Sequence, residues 1–443
     1  MRAETVVVGA GIAGLACASE LVAQGAGDVL VLEAAPRAGG AAETVRRGEY
    51  MVERGPNTVR GNATLATLAK SAGLALVEAA PAAPCLVSNS ALVSLPPPLR
   101  RLLSGSLLPW RGIAGILAEP LRPVRPGPKT VRQLVEERFG ETTAERFADL
   151  LTLGIYGTTA EQVGFESAFP DLAAALEGAG GRFSRLALQR LFARGDRPTR
   201  MGVVSTTHGL GGLCERLGEQ LGERLRTSTP VRRARGRSGS FELEIGARGE
   251  TKLACRNLVL AIPGAAAARL LELPSAAPLL EQYRFVPQTL VTFALEEPAC
   301  AERWPGLGFL VPSRERLPLL GCLFPSNLFA GRAPRGALLL SVFAARGLRE
   351  AADAALVHEI APVLKRLLGA TREPLLLDVA RYPEGIPLYD VLHRERTRTL
   401  RSCLAEAAGP ILCGVGYDGV AFAASAESGT VAARSVLSAT SRG

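Results

Sequence analysis

Aromatic residues are scarce in this chain, at 5% of 443 positions, and histidine occurs three times. A chain so poor in rings, with no basic run interleaved with aromatics, lacks the stacking surface that single-stranded nucleic acid requires, so nucleic acid is not expected as a partner. His208, His358 and His393 are far apart, and no Cys-x-x-Cys pair occurs among the eight cysteines, so no zinc or haem site and no metal ligand is expected. Several of those cysteines (Cys17, Cys85, Cys214, Cys255, Cys300, Cys322, Cys403, Cys413) fall in apolar runs, as reduced buried thiols of a cytoplasmic protein would. No apolar stretch of about 18 residues is free of charge and proline, so no membrane-spanning helix is expected. The first strand starts at the N-terminus, so no signal peptide is expected either. No internal repeat is visible.

What the chain does have is 47% hydrophobic residues, 48 glycines and 30 prolines, a composition that suits a globular protein of two or three domains. Its formal charge of +9 is carried mainly by arginine. An Arg-favouring genome would explain this, as would an acidic substrate or an anionic membrane surface.

The most specific signal opens the chain. Residues 5–14 read Thr-Val-Val-Val-Gly-Ala-Gly-Ile-Ala-Gly, a buried strand running into G-x-G-x-x-G, with a helix expected over 15–23. Gly9 permits the tight turn, Gly11 admits a pyrophosphate, and Gly14 lets helix and strand pack closely. The helix start, including Ile12 and Ala13, presents N–H groups and a positive dipole end to phosphate. A second apolar run ends at Glu33-Ala34, 19 residues beyond Gly14, where a carboxylate can accept bonds from ribose hydroxyls. Then comes Arg37-Ala38-Gly39-Gly40-Ala41. A second glycine pair there lets backbone lie against the flavin side of an extended cofactor, which points to FAD rather than NAD.

Further along, the pattern is α/β at both ends around a largely helical insertion. Helices are expected over 63–72, 131–139, 144–153, 172–175, 183–193, 216–225, 357–367 and 426–437. Strands are expected over 241–245, 257–263, 290–295, 308–312, 337–343, 375–380 and 410–413, with a proline-bearing loop at 382–389 and a glycine turn at 414–419. Residues 95–129 combine Pro96-Pro97-Pro98, apolar clusters and Trp110 with Arg100, Arg101, Arg111, Arg122 and Arg125. Basic amphipathic helices at a bilayer interface and ordinary cationic helices over a substrate cavity fit this stretch equally well.

Taken in order, these segments resemble protoporphyrinogen oxidases of the flavin-containing amine oxidase superfamily. Val52-Glu53-Arg54-Gly55-Pro56-Asn57 is similar to the family's Glu-x-Gly-Pro segment beside the flavin, and Gly154-Ile155-Tyr156-Gly157 with Phe169-Pro170 to its central helical signature. The run 209–213 resembles its Gly-Gly-Leu corner before an amphipathic helix, Pro230-Val231 the strand whose Val231 backbone meets adenine, and 306–312 the active-site strand. Gly385-Ile386-Pro387-x-Tyr389 and the corner from Gly414 to Gly419 complete the likeness.

The resemblance implies an FAD domain built from 1–80, 207–280 and 396–443, a helical substrate or membrane-associating domain over 81–206, and a sheet-based substrate domain over 281–395. It implies FAD held by Gly9, Gly11, Ile12, Ala13, Gly14, Glu33, Ala34, Arg37, Gly39, Gly40, Gly55, Pro56, Asn57, Val231, Tyr382, Gly414, Gly419, Val420 and Ala421. The implied reaction is six-electron oxidation of a tetrapyrrole, protoporphyrinogen IX or coproporphyrinogen III, by hydride transfer to flavin N5, with O2 as acceptor and peripheral contact with the inner face of the cell membrane. Gly308, flanked by Leu307 and Leu310, is the expected substrate wall, and no acid–base residue is identified. Tyr156 and Phe169 are expected to belong to the core.

The chain departs from the family where an Arg usually pairs a substrate propionate: Pro84-Cys85-Leu86-Val87 has none, and Arg60, Arg182 and Arg185 are candidates to replace it. Leu388, Leu392-His393, Ala423 and Ala424 also replace polar family residues. These changes keep open a same-superfamily oxidase or desaturase acting on another large apolar substrate, and a flavin-binding partner protein without turnover.

Overall fold

The computed structural model describes residues 1–94, 108–192 and 201–440. The Pro96-Pro97-Pro98 run, Arg100 and Arg101 lie outside the described residues.

Two large sheets organise the molecule. The first has seven strands. Arg2–Val8 lies between Val29–Leu32 and Thr251–Leu260, parallel to both, with Leu225–Arg226 beyond Val29–Leu32. The free edge of Thr251–Leu260 is divided. Its first half pairs antiparallel with Ser240–Ile245, and its end pairs parallel with Ile411–Leu412. The apolar runs at 6–8 and 29–32 are buried on both faces, as parallel strands flanked by helices must be. The helix Ile12–Ala23 lies against the long helix Phe422–Thr440, where a side chain at Gly429 would come within 2.0 Å of Ala13 O.

The second sheet is mainly antiparallel, in the order Leu375–Pro387, Phe285–Leu295, Leu338–Ala344, Leu319–Leu323, Gly308–Leu310, Pro84–Ser88, Ala91–Ser94. Alternation divides its faces. Val291, Phe293, Phe309, Leu340 and Val342 belong to a core with Leu356, Ile360 and Leu364 of the helix Asp353–Leu368. The opposite face turns Ala294 and Leu339 toward Tyr50 and Val52.

Helices fill 110–192. They include Trp110–Leu117, Val131–Phe139, Asp149–Tyr156, Pro170–Gly178 and Phe183–Phe192. The buried Arg138 locks them together: it bonds Glu119 at 2.6 Å, while Glu119 also accepts from Phe183 N and Ser184 N at the start of the last helix.

Three elements differ from expectation. The span 81–206 is not wholly helical: Pro84–Ser88 and Ala91–Ser94 form a hairpin in the second sheet, and Val203–Thr206 pairs with Val59–Arg60 and Leu76–Glu78. The strand expected to stop at 380 continues to Pro387. It is an edge strand whose ladder is interrupted between Tyr382 and Ile386, so Pro383 forfeits no central hydrogen bond. The helix expected from 216 starts at Gly209.

Candidate functional site

The first glycine loop is shaped by close approach. Gly9 has φ +100°, and a Cβ there would lie 2.6 Å from Ala261 O; at Gly14 it would lie 1.9 Å from Gly9 O. Gly11 differs from both, with nothing within 4 Å of its Cβ position. It is also the N-cap of Ile12–Ala23 and makes no side-chain cap bond, so the first N–H groups of Ile12, Ala13 and Gly14 face the open side of the loop. Glu33 is fixed beside them. Its Oε2 accepts from Ala10 N at 2.7 Å and its Oε1 from Ala35 N at 2.8 Å, which leaves lone pairs on both oxygens for hydroxyl donors. Thr229 N donates to Glu33 O and Ser228 N to Ala35 O, which brings the segment leading to Val231 alongside Glu33 and the exposed Ala34.

The second glycine pair lies on the first loop. Gly39 N donates to Ala10 O at 2.7 Å, Gly39 bridges Gly11, and a Cβ on Gly40 would be 3.3 Å from Gly11 Cα. Arg37 closes this turn, its guanidinium donating to the carbonyls of Ala38, Gly40 and Ala42. From there the chain runs toward the second sheet. A Cβ on Gly55 would lie 1.8 Å from Ala41 O, so Gly55 and Pro56 pass directly over that residue. The buried Asn57 then accepts from Ser341 Oγ at 2.9 Å, and Tyr382 OH donates to Ala41 O. At the closing corner Gly414 has φ +109°, its N donates to Ser428 Oγ, and a Cβ on it would touch Ala13 Cβ. Gly419 (φ +73°), Val420 and Ala421 lead into Phe422–Thr440, and Val420 packs on the core of the helical region. An uncapped helix start, an open Gly11 and a glycine pair laid on it fit a long dinucleotide cofactor.

The expected substrate wall lies on the strand Gly308–Leu310 of the second sheet. Gly308 has φ +131°, and a Cβ there would lie 2.1 Å from Cys322 O, so glycine is required by the neighbouring strand rather than by an approaching ligand. Leu307 and Leu310 are half-buried, and Leu310 faces Gly154 of the helix Asp149–Tyr156. Tyr156 is buried in the core with Tyr389, and Phe169 packs against the same core.

Among the residues around these elements, Arg332, Gln288 and Arg349 escape sequence reasoning, and others that it named take on partners it did not show. Glu53 is buried with Arg332 at 3.0 Å and also accepts from Thr44 Oγ1 and Leu210 N. Burial raises its carboxyl above the ordinary range, and the Arg332 guanidinium pulls it back. Gly209 and Gly211 are glycine because the hairpin of Thr44 and Glu53 presses on the helix start: a Cβ at Gly209 would lie 2.2 Å from Thr44 Oγ1. His393 stacks on Tyr389 with ring centroids 3.7 Å apart, and burial lowers its pKa to about 4. Gln288 and Arg349 converge on Gly157. A Cβ there would lie 2.3 Å from Gln288 Nε2, and Gly157 O accepts from Arg349 Nη2 at 2.8 Å. The Gln288 amide and Arg349 Nε have no hydrogen-bond partner. Of the arginines that sequence reasoning raised as anchors, Arg60 and Arg185 are exposed and Arg182 bonds backbone carbonyls of Pro120 and Arg122.

Comparison with known proteins places this geometry. A family model described as flavin containing amine oxidoreductase matches residues 12–441. A coproporphyrinogen III oxidase of Propionibacterium freudenreichii subsp. freudenreichii is 31% identical, over 93% of this chain and 87% of its own. A chloroplastic protoporphyrinogen oxidase of Nicotiana tabacum is 27% identical, over 90% of this chain and 79% of its own. A crystal structure from Exiguobacterium sp. 255-15, provisionally assigned as a protoporphyrinogen oxidase, superposes with a TM-score of 0.82 at 26% identity and covers 98% of each chain.

Proposed function

We propose that this chain, which belongs to the flavin containing amine oxidoreductase family and is an FAD-dependent oxidase of the haem-biosynthesis type, oxidises protoporphyrinogen IX or coproporphyrinogen III to the porphyrin. The observation that carries the reading is the continuous run from cradle to sheet: Gly39 and Gly40 on Gly11, Gly55 on Ala41, then Asn57 bonded to Ser341. An elongated cofactor held along that run would have its nucleotide end at Gly11 and its reactive end beside the second sheet. When bound, FAD supplies acceptance of two electrons at a time, so removal of six electrons takes three rounds and consumes three O2, giving three H2O2.

The chain's own contribution is binding, orientation and exclusion of water. Glu33 and the helix start hold the nucleotide. Gly308, Leu307 and Leu310 would form part of an apolar wall, which Gly154 backs by packing on Leu310. No side chain is assigned acid–base work.

Anaerobic addition of porphyrinogen should bleach the flavin absorbance, and expression should rescue a bacterial strain lacking its haem-pathway oxidase. Flavin that stays oxidised with both porphyrinogens would overturn the reading. Rescue separates it from a same-family oxidase of another large apolar substrate.

Peripheral lipid contact belongs to the same proposal. Trp110, Leu117 and Leu121 are 73%, 73% and 88% exposed, with Arg111, Arg122 and Arg125 close in sequence. Among the described residues no helix is long and apolar enough to cross a membrane, so contact would be interfacial.

A further inference from the structure

We infer that Arg349 and Gln288 form a buried carboxylate-binding subsite that anchors an acidic arm of the substrate, an inference that rests on the porphyrinogen reading above. Four arginines are nine-tenths or more buried among the described residues. Arg138 pairs with Glu119 at 2.6 Å, Arg332 with Glu53 at 3.0 Å and Arg396 with Asp390 at 3.0 Å. Arg349, 9% exposed, faces no carboxylate among the described residues. Its Nη2 is taken by Gly157 O, and its Nε–H is buried without an acceptor. A guanidinium removed from water without a counter-charge is unfavourable, and burial with Arg346 nearby makes Arg349 easier to deprotonate than an ordinary arginine.

Gln288 repeats the pattern. It is 6% exposed, and neither end of its amide has a partner. It stands on the second sheet where Phe285–Leu295 meets Gly385 of the edge strand, directly against Gly157. Two unsatisfied donors, one cationic, therefore meet at one glycine between the sheet and the helical region. A small planar anion with two acceptor oxygens answers both. The Pro84–Ser88 strand, which carries no arginine, is several strands away in the same sheet. The anchor missing from the sequence motif would thus be supplied by Gln288 on another strand and by Arg349, just after the turn that follows Leu338–Ala344.

The test uses the full FAD-loaded chain and fluorescence titration with a dicarboxylate porphyrin and its dimethyl ester in one detergent buffer. Wild type should prefer the free acid by about tenfold or more, and Arg349→Met should reduce that preference to about twofold while ester affinity is unchanged. Arg349→Lys should restore part of it. Gln288→Leu should weaken acid binding by about threefold to tenfold. Flavin absorbance reports folding; if Arg349→Met loses flavin, the Lys and Gln288 variants carry the same comparison. Equal binding of acid and ester by wild type, or an unchanged preference in the variants, overturns the subsite and leaves the porphyrinogen reading standing. Binding of neither form overturns both.

Discussion

Arg332, where the strand Tyr50–Glu53 packs on the second sheet, and Arg349, at the joint between the second sheet and the helical region, are both buried, yet only Arg332 faces a carboxylate. Around Arg332 the structure is closed: Glu53, Ser205, Thr44 and the start of the helix Gly209–Leu221 satisfy one another. Around Arg349 and Gln288 the packing is as tight, but the Gln288 amide and Arg349 Nε are buried without partners. Polar groups that fasten protein to protein find their partners in the same chain, whereas polar groups meant for a ligand are left without them. On the proposed reading the cradle would hold its cofactor mainly through backbone, which leaves its side chains to serve the fold. The substrate side has to carry specificity in side chains.

Four measurements would break or sharpen that contrast. The largest effect is expected at Gly14. Gly14→Val would force a side chain into Gly9 O, so the variant should purify without flavin, read as loss of absorbance near 450 nm (about hundredfold lower occupancy or more). Arg332→Met should leave Glu53 buried and unpaired and lower unfolding stability by about 3 to 5 kcal/mol in urea titration. A loss close to zero would mean that the closed end is less tightly built than its hydrogen bonds imply.

The third concerns His393, whose folded pKa of about 4 lies below the value of 6.5 expected for the unfolded chain. The native state therefore binds fewer protons between those values. Stability is full above pH 6.5 and falls as pH drops toward 4, by about 3 kcal/mol in total. His393→Phe keeps the stack on Tyr389 and should flatten that part of the stability–pH profile. The smallest effect is expected at Glu33. Glu33→Gln should weaken FAD binding by about tenfold to a hundredfold, following the worth of hydrogen bonds to a charged group, measured by flavin release on dilution.

The cradle was legible because its logic is local. A strand, three glycines and an acid at fixed spacing are constrained by one βαβ unit, and the structure puts them where that spacing requires. The helix from Gly209 carries Gly209, Gly211 and Gly212 in its first turn, residues that favour a corner over a helix start. Nothing nearby in sequence reveals that Thr44 and Glu53 press on them. Pro383 likewise argued for a loop, and only the sheet order shows that its strand is an edge. At Gly308 the need for glycine comes from Cys322 on the adjacent strand, a contact that nothing nearby in sequence reveals. Arg349 could not be singled out at all. It is one arginine in an arginine-rich chain, and its distinction, a missing counter-charge, appears only when Gln288 and Gly157 are brought to it from distant segments.

The divided edge of Thr251–Leu260 bears on how the protein is made. Its last hydrogen bonds are completed by Ile411–Leu412, and the helix Ile12–Ala23 is covered by Phe422–Thr440. A nascent chain therefore holds the helix Ile12–Ala23 without this cover until residues 422–440 have been made, a long-range closure of the kind that slows folding. Flavin loading should follow the docking of Phe422–Thr440 on Ile12–Ala23, and chains truncated before residue 411 should purify colourless.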